Sequence, residues 1–265
     1  MQPSESGSRP LTRRPAEAGR RRAENAIAGT GCGDLDFRFV GGGTQRHAAA
    51  GGGAFRSARR RLVERLRADG IVDERVLAAF EAVERHRLIP EALREQAYRE
   101  TPLPIGDGQT ISAPDVVARM TQAAELGGEE TVLEVGTGSA YQAAILSRLV
   151  SRVISVERIP RLAARARSAL DELGCTNVVV YLGDGTQGRA ADAPYDAILV
   201  TAGGPEVPRP LLEQLAPGGR LVGPFGPKGE QRLQRIVRDP GGSFTREWMG
   251  DCSFVDLIGE HGWLG

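Results

Sequence analysis

Apolar residues recur in two alternating patterns through the middle of the chain. Short apolar runs typical of buried strands lie at 131–135, 153–157, 178–182 and 197–201, and segments with helical periodicity separate them. Strands and helices in strict alternation predict a parallel sheet with crossover helices. The predicted helices of this region are 115–126, 141–150, 160–173 and 208–215.

A helical layer is predicted before this region. From about Ala58 onward, Leu62 and Leu66 fall on one helical face. Asp73 is placed to cap a helix over 76–83. These positions indicate amphipathic helices that need the sheet as a partner.

Three further strands are predicted at 220–223, 233–237 and 244–249, with no helix between the last two. Strands that follow one another without a crossover pair antiparallel. The predicted fold is therefore α/β: a Rossmann-like, doubly wound, mostly parallel sheet with an antiparallel C-terminal edge, preceded by the helical layer and a disordered tail.

A glycine-containing turn follows the first strand of the sheet. Gly136 and Gly138 permit a sharp turn and close approach of a ligand to the backbone. The second strand ends in Glu157, about 20 residues on, where Rossmann-like folds place a carboxylate that accepts the ribose hydroxyls. Tyr141 stands where a dinucleotide site has its third glycine, so a smaller adenosyl ligand is favoured over NAD. No Gly-x-x-x-x-Gly-Lys-Ser/Thr motif is present, which excludes a P-loop.

Composition places the chain among soluble globular proteins, with 40% hydrophobic and 26% charged residues in a length of 265. Residues 1–57 are rich in Gly, Ala, Arg, Ser and Pro and lack apolar periodicity, so we predict a disordered tail before one domain at 58–265. Residues 1–61 hold 12 of the 34 basic residues but only 5 of the 34 acidic residues. A solvated basic tail explains this excess, and we predict no specific nucleic-acid binding.

Several classes of protein are disfavoured by what the sequence lacks. No apolar run approaches the roughly 18 residues that cross a bilayer, and the Arg-rich N-terminus has no apolar segment of a secretory signal. The three cysteines and three histidines are scattered, which predicts neither a disulfide framework nor a metal site. We therefore predict a cytoplasmic protein, and a monomer because no coiled-coil repeat is present.

The Pro- and Gly-rich loop at 98–114 is too specific in sequence to be a plain connection, since it contains Pro-Leu-Pro-Ile-Gly-x-Gly-Gln-Thr-Ile-Ser-Ala-Pro at 102–114. Five further blocks are Val-Leu-Glu-Val-Gly-Thr-Gly-Ser (132–139), Val-Glu-Arg-Ile-Pro (156–160), Gly-Asp-Gly (183–185), Pro-Tyr-Asp-Ala-Ile-Leu-Val-Thr-Ala (194–202) and Leu-Ala-Pro-Gly-Gly-Arg-Leu-Val (215–222). Together they resemble the protein-L-isoaspartate O-methyltransferase family, over about residues 58–260. The resemblance implies methyl transfer from S-adenosylmethionine to the free carboxylate of an L-isoaspartyl residue in a damaged protein.

The resemblance also implies roles for individual residues. Ser112 matches the family's active-site serine, and the predicted substrate-binding residues are Gln109, Thr110, Ile111 and Asp115. The predicted cofactor-binding residues are Glu134, Gly136, Thr137, Gly138, Glu157, Asp184 and Gly185. A carboxylate is already ionised at neutral pH and a sulfonium is a good leaving group, so the reaction needs alignment and exclusion of water more than a strong base.

Asp115 stands where the family usually has His. A carboxylate there repels an anionic substrate unless it points away or is paired with a cation. Ser112-x-x-Asp115 also fits a capping box for the following helix, an interpretation that we favour for Asp115 but not for Ser112. Two alternatives stay open: a methyltransferase with another carboxylate or a small-molecule acceptor, and a cofactor-binding adaptor without activity that docks through its Arg-rich tail.

Overall fold

The computed structural model describes residues 47–265. Most of the predicted disordered tail, residues 1–46, lies outside the described residues. Helix α1 spans His47–Ala68, so the helical layer begins at His47 and not near Ala58. Five further α-helices are α2 (Glu74–Ala82), α3 (Pro114–Ala123), α4 (Tyr141–Leu146), α5 (Pro160–Glu172) and α6 (Arg209–Glu213).

Helix α2 begins where its cap predicts. The Asp73 carboxylate accepts hydrogen bonds from the backbone N–H groups of Arg75 at 2.8 Å and Val76 at 3.3 Å. It thereby satisfies two donors that a helix N-terminus leaves free. Leu77 and Phe80 are buried on one face of α2. Burial of each of these side chains stabilises the fold by about 1.5–3 kcal/mol. This face packs α2 against α3 and α4.

The described residues form nine strands, seven of them in one mixed sheet. The strands are β1 (Leu103–Gly106), β2 (Gln109–Ile111), β3 (Thr131–Val135), β4 (Arg152–Glu157), β5 (Val178–Leu182), β6 (Tyr195–Val200), β7 (Leu215–Phe225), β8 (Arg232–Arg238) and β9 (Phe244–Asp251). The order in the large sheet is β5-β4-β3-β6-β7-β8-β9. Neighbours from β5 to β7 are parallel, whereas β7, β8 and β9 are antiparallel. The predicted mostly parallel sheet with an antiparallel C-terminal edge is confirmed.

Both faces of the sheet are covered by apolar side chains. Val132 of β3 belongs to the same buried cluster as Phe80 of α2 and Met120 of α3. The next residue, Leu133, belongs to a second cluster that includes Leu211 of α6. Alternate strand residues thus face opposite layers, and burial on both faces explains why the strands read as continuous apolar runs.

The four helices predicted between and after the strands all end earlier in the structure. Helix α3 stops at Ala123 and not at 126, and α5 at Glu172 and not at 173. Helix α4 stops at Leu146 and not at 150, because the Asn177 side chain donates to the carbonyls of Ser147 and Val150 at 3.1 and 2.9 Å and satisfies the chain beyond the helix. Helix α6 stops at Glu213 and not at 215.

The segment 216–219, between the predicted helix at 208–215 and the predicted strand at 220–223, belongs to β7. A register shift between the β6–β7 pairs Tyr195–Leu215 and Ala197–Arg220 accommodates its Pro and Gly residues. The loop predicted at 98–114 contains a two-stranded antiparallel hairpin, β1 with β2.

Candidate active site

A cleft opens at the carboxyl ends of β3 and β4, where the winding direction of the sheet reverses. From β3 the chain runs outward to β4 and β5 and then crosses to β6 on the other side. Ligands of open α/β sheets bind at such a switch point. The space between the atoms of the cleft amounts to about 800 Å³, which includes space open to solvent.

Ten of the twelve predicted site residues line this cleft, and Asp115 and Asp184 do not. The ten are Gln109, Thr110, Ile111, Ser112, Glu134, Gly136, Thr137, Gly138, Glu157 and Gly185. The lining also includes residues that the sequence did not single out as binding: Val117, Met120, Ser139, Tyr141, Gln142, Arg158, Thr201, Ala202 and 255–258. The cleft therefore joins the predicted substrate loop to the predicted cofactor turn.

The turn after β3 requires glycine at its first position. Gly136 has φ +96°, and a Cβ there would lie 2.7 Å from Thr201 Oγ1. The Thr201 hydroxyl is held in place, because its one proton is shared between the carbonyl oxygens of Gly136 at 2.6 Å and Val135 at 2.9 Å. Only glycine leaves the backbone open to a ligand here.

Glu157 lies at the end of β4 and is 5% exposed. Its carboxylate accepts hydrogen bonds from the backbone N–H groups of Gly138 at 2.8 Å and Ile159 at 2.9 Å. These bonds fix the carboxylate at the mouth of the glycine turn. An ionised carboxylate has about four acceptor positions, so acceptors remain for a diol on a ligand.

Glu134 is buried completely at the centre of the site. Its Oε2 is hydrogen-bonded to the Ser155 hydroxyl, which lies 2.5 Å from the Thr137 hydroxyl. Its Oε1 has no partner within the part of the chain that the structure describes. Burial raises the pKa of Glu134 to about 8; the Ser155 hydrogen bond and the nearby Ala143 backbone N–H oppose this shift, whereas the charge of Glu157 adds to it. Glu134 is therefore mostly a neutral acid at neutral pH in the free protein.

The hairpin β1–β2 carries the predicted substrate residues to the rim of the cleft. Ile105 and Ile111 are 1% and 2% exposed and anchor the hairpin, whereas Thr110 is exposed and Ser112 half-buried. Arg165 of α5 donates from Nη1 to the Ile105 carbonyl at 2.8 Å. Apolar burial and this bond hold the hairpin against the sheet domain.

The capping-box interpretation of Ser112 and Asp115 is wrong. Helix α3 starts at Pro114 with Ala113 as its N-cap, and no side chain caps it. Proline favours the first helical position, so Ser112 lies one residue before the N-cap and Asp115 lies in the first turn of the helix. The Asp115 carboxylate is instead 3.6 Å from the guanidinium of Arg119 one turn later. It is paired with a cation and is not part of the cleft wall.

Asp184 bonds to its own turn and to the C-terminal segment. Its Oδ1 accepts from the backbone N–H and hydroxyl of Thr186 at 2.9 and 2.7 Å, and its Oδ2 accepts from the Glu260 N–H at 2.8 Å. Burial raises the pKa of Asp184, but these hydrogen bonds outweigh it and hold the pKa below its usual range. Gly185 does line the cleft, and a Cβ there would lie 2.6 Å from a methyl group of Val135.

The C-terminal segment 252–263 forms one wall of the cleft through 255–258. The Gly203 N–H donates to the Val255 carbonyl at 2.7 Å, and the Gly203 carbonyl accepts from the Leu257 N–H at 2.9 Å and the Trp263 indole at 2.8 Å. These bonds tie the segment to the loop after β6. The sequence gives no signal of this role, because the segment has neither a motif nor a clear periodicity.

Arg85 is buried completely behind the cleft, against the face of Tyr141. Its guanidinium carbon lies 4.7 Å from the ring centroid, and its Nε donates to the Ala97 carbonyl at 2.7 Å. Neither Nη atom has a partner among the described residues. Burial lowers the pKa of Arg85 to about 10, so it stays charged at neutral pH and its contact with Tyr141 is a cation–π interaction.

Metal and membrane features were sought in the range 47–265. There, no three or more His, Cys, Asp or Glu side chains are grouped to hold a metal ion. No helix of that range has the length and apolar content to cross a membrane.

Known proteins are similar in sequence over the part of the chain that forms this cleft. A family model described as protein-L-isoaspartate(D-aspartate) O-methyltransferase matches residues 57–262. A protein-L-isoaspartate O-methyltransferase of Syntrophus aciditrophicus is 50% identical over 214 residues, which are 80% of this chain and 98% of the relative. The chain belongs to the protein-L-isoaspartate O-methyltransferase family. Another member, from Geotalea uraniireducens, is 54% identical over 209 residues, which are 78% of this chain and 96% of the relative.

Solved structures of the isoaspartate methyltransferase family have the same fold. One superposes with a TM-score of 0.70 at 28% identity, covering 77% of this chain and 67% of the other. A second, from Plasmodium falciparum and in complex with S-adenosyl-L-homocysteine, has a TM-score of 0.66 at 26% identity and covers 77% of this chain and 98% of the other. Family membership, predicted from six sequence blocks, is confirmed, and the roles of individual residues stay predictions.

Proposed function

We propose that this protein transfers a methyl group from S-adenosylmethionine to the free carboxylate of L-isoaspartyl residues in damaged proteins. One observation carries the proposal: a single cleft is lined both by Ser112 of the hairpin and by the Gly136–Gly138 turn with Glu157. The first is the family-specific block and the second is the adenosyl-binding pattern. Their meeting in one cleft supports a reaction between a bound cofactor and a substrate carboxylate.

The cleft residues fit an adenosyl cofactor. Glu157 has acceptor positions free for a ribose diol. The glycine at position 136 keeps open a space that a Cβ would close. The buried Oε1 of Gln142 has no donor among the described residues, and a ligand can bring one. S-adenosylmethionine, when bound, supplies the methyl group and a sulfonium leaving group.

The chain's own residues align the substrate and exclude water. Gln109, Thr110 and Ser112 place amide and hydroxyl donors at the rim of the cleft, where a substrate carboxylate is held. That carboxylate needs no general base, so its orientation is the main contribution of the protein. The wall formed by 255–258 covers part of the cleft and so limits access of water.

Asp115 does not obstruct an anionic substrate in this arrangement. Its carboxylate is paired with Arg119 and lies outside the cleft wall. This placement supports an isoaspartyl acceptor in spite of the departure from the family's His, and Asp115 is expected to act on the substrate only from the rim. The cytoplasmic location and the monomeric state stay predictions from the sequence.

The test compares three acceptors with radiolabelled S-adenosylmethionine. They are a peptide with L-isoaspartate at one position, the same peptide with L-aspartate there, and a small dicarboxylic acid. We expect base-labile methyl ester on the isoaspartyl peptide, and much less of it with Ser112→Ala. Labelling of the small acid alone would indicate a different methyltransferase. No labelling of any acceptor, with cofactor bound in calorimetry, would indicate an adaptor.

A further inference from the structure

The wall at 255–258 brings a carboxylate into the cleft. Asp256 is one of the lining residues, and its side chain is 31% exposed. The backbone on either side is fixed, because the Gly203 N–H donates to the Val255 carbonyl and the Leu257 N–H donates to the Gly203 carbonyl. The acid therefore has a set place in the wall, and an anionic substrate that enters the cleft meets its charge.

A lysine ammonium lies against this carboxylate. Lys228 Nζ donates to Asp256 Oδ2 at 2.6 Å and lies 5.9 Å from the centroid of the Trp263 ring, within the range of a cation–π contact. Both partners belong to the C-terminal segment 252–263, whereas Lys228 belongs to the loop between β7 and β8. Lys228 is also the only lysine among the 34 basic residues of the sequence.

The loop that carries Lys228 is tied down at both of its ends. The Gly226 N–H donates to the Gly204 carbonyl at 3.0 Å, and the Gln231 carbonyl accepts from the Cys252 N–H at 3.2 Å. These bonds join the loop to the chain after β6 and to the C-terminal segment. The lysine side chain has only to cross the gap between two fixed stretches of backbone.

The charges of the cleft lining explain why this ion pair matters. The lining acids are Glu134, Glu157 and Asp256, and the lining base is Arg158. Glu134 is mostly neutral in the free protein, and Glu157 is bound to two backbone N–H groups. Asp256 left unpaired would add a negative charge to the cleft. Like charges repel over about 10 Å at 0.1 M ionic strength, a range that reaches across a single cleft.

We propose that Lys228 is a positioning residue for the acceptor: its ammonium neutralises Asp256, so that the wall does not repel the substrate carboxylate. Exposed ion pairs contribute little to stability, so the effect of this pair falls on binding of the acceptor. This role rests on the proposed function. The cofactor carries a cationic sulfonium, and an unpaired Asp256 does not weaken its binding.

The first experiment measures steady-state kinetics of Lys228→Gln with an isoaspartyl peptide at saturating S-adenosylmethionine. At about 50 mM salt we expect KM for the peptide to rise roughly 3- to 10-fold, as for a partly screened unit charge. We expect kcat to stay within about twofold, because the change affects binding and not alignment. The rise in KM is expected to shrink at about 0.5 M salt, and the Kd of S-adenosyl-L-homocysteine is expected to stay unchanged.

Three further variants separate charge from structure. Lys228→Arg keeps the charge and is expected to have a KM close to wild type. Asp256→Asn added to Lys228→Gln removes the unpaired carboxylate, and this double variant is expected to recover most of the lost affinity. Arg209→Gln is the matched control, since it breaks an ion pair of 2.7 Å with Glu213 outside the cleft lining, and we expect no change in KM.

The second experiment uses a neutral ligand of the same shape. In this peptide a carboxamide replaces the free carboxylate of the isoaspartyl residue, and its inhibition constant is measured in competition with the substrate peptide. A repulsion between charges does not act on the amide. We therefore expect the same inhibition constant in wild type and Lys228→Gln, whereas displacement of the wall would weaken both peptides.

The third experiment alters the charge of Lys228 in the wild-type protein. Acetylation removes the charge of the ammonium, and reductive methylation keeps it. We expect acetylation alone to raise KM for the isoaspartyl peptide. Lys228→Arg treated in the same way is the control for modification of the N-terminal amine, and we expect no rise there.

The outcomes separate this inference from the proposed function. A Lys228→Gln protein with wild-type KM at low salt, a defect that Asp256→Asn does not relieve, or equal weakening of the carboxylate and amide peptides would overturn the role of Lys228. Each of these results leaves methylation of the isoaspartyl peptide by the wild-type protein in place. Failure of the wild-type protein to methylate that peptide at all would overturn the proposed function itself.

Discussion

Replacing Gly136 by Ala tests whether the turn after β3 has to stay open. The new Cβ would sit at φ +96° and 2.7 Å from Thr201 Oγ1, whose proton is shared between the carbonyl oxygens of Val135 and Gly136. Backbone strain of roughly 1–3 kcal/mol and loss of a hydrogen bond worth about 1 kcal/mol together cost about 2–4 kcal/mol. The added carbon also occupies space at the ligand face of the turn.

Two measurements divide this cost between binding and folding. A cost confined to the ligand-bound form weakens S-adenosyl-L-homocysteine roughly 30- to 1,000-fold in calorimetry. A cost carried by the free protein lowers Tm by about 4–16 °C in thermal unfolding, given about 2–4 °C per kcal/mol for a domain of this size. We expect the two effects to account for the full cost together.

Gly138→Ala is the matched control. Gly138 has φ +52°, and an added Cβ meets only Ile105 Cδ1 at 3.6 Å, so we expect a cost of about 1–2 kcal/mol. Adding Thr201→Ala to Gly136→Ala removes the colliding oxygen, and the double variant is expected to be less impaired than the two single effects summed. Full additivity, or a Gly136→Ala protein that binds and melts like wild type, would refute the steric argument.

Three further predictions concern groups around the cleft. Arg85→Ala is expected to lower the free energy of unfolding in urea by about 3 kcal/mol, because it leaves a cavity. Arg85→Met is expected to lower that free energy less, because Met fills the space and removes a buried charge with two unpartnered Nη atoms. Equal losses of stability in the two variants would contradict this. Asp115→Asn is expected to change stability by less than about 1 kcal/mol and to leave the Kd of S-adenosyl-L-homocysteine unchanged, and a clearly weaker cofactor would place Asp115 in the cleft after all. Asp184→Asn is expected to speed hydrogen exchange at the Glu260 N–H. Because the pKa of Asp184 is lowered in the folded protein, the stability it contributes is present above its unfolded pKa of about 4 and is lost as pH falls through the lowered value; the exchange difference between Asp184→Asn and wild type should therefore shrink in acid, and a constant difference would count against the carboxylate.

Elements marked by local chemistry can be predicted closely from the sequence. The strand at 178–182 is found with its predicted bounds, and Asp73 caps α2 as expected. The start of β7 at Leu215 cannot be predicted in this way, because Pro and Gly residues at 216–219 locally favour a turn. Pairing with β6 overrides that preference, and the register shift absorbs the mismatch.

In the candidate site too, residues placed by local motifs can be predicted from the sequence, and residues placed by long-range contacts cannot. Gly136 and Glu157 can be found from motif spacing, because backbone geometry and strand order place them together. Asp184 belongs to a recognisable motif, yet its side chain bonds to Thr186 and Glu260, and no local pattern encodes a contact across 76 positions in sequence. The wall at 255–258 depends wholly on such long-range contacts.

The most direct test of the account locates the methyl group. A peptide with one L-isoaspartyl residue, one glutamate and a free C-terminus is incubated with the protein and S-adenosylmethionine, and tandem mass spectrometry identifies the esterified carboxyl group. The account predicts one methyl ester, at the isoaspartyl residue, and none when that residue is replaced by L-aspartate. Ester at the glutamate or C-terminus, or equal ester on both peptides, would contradict it.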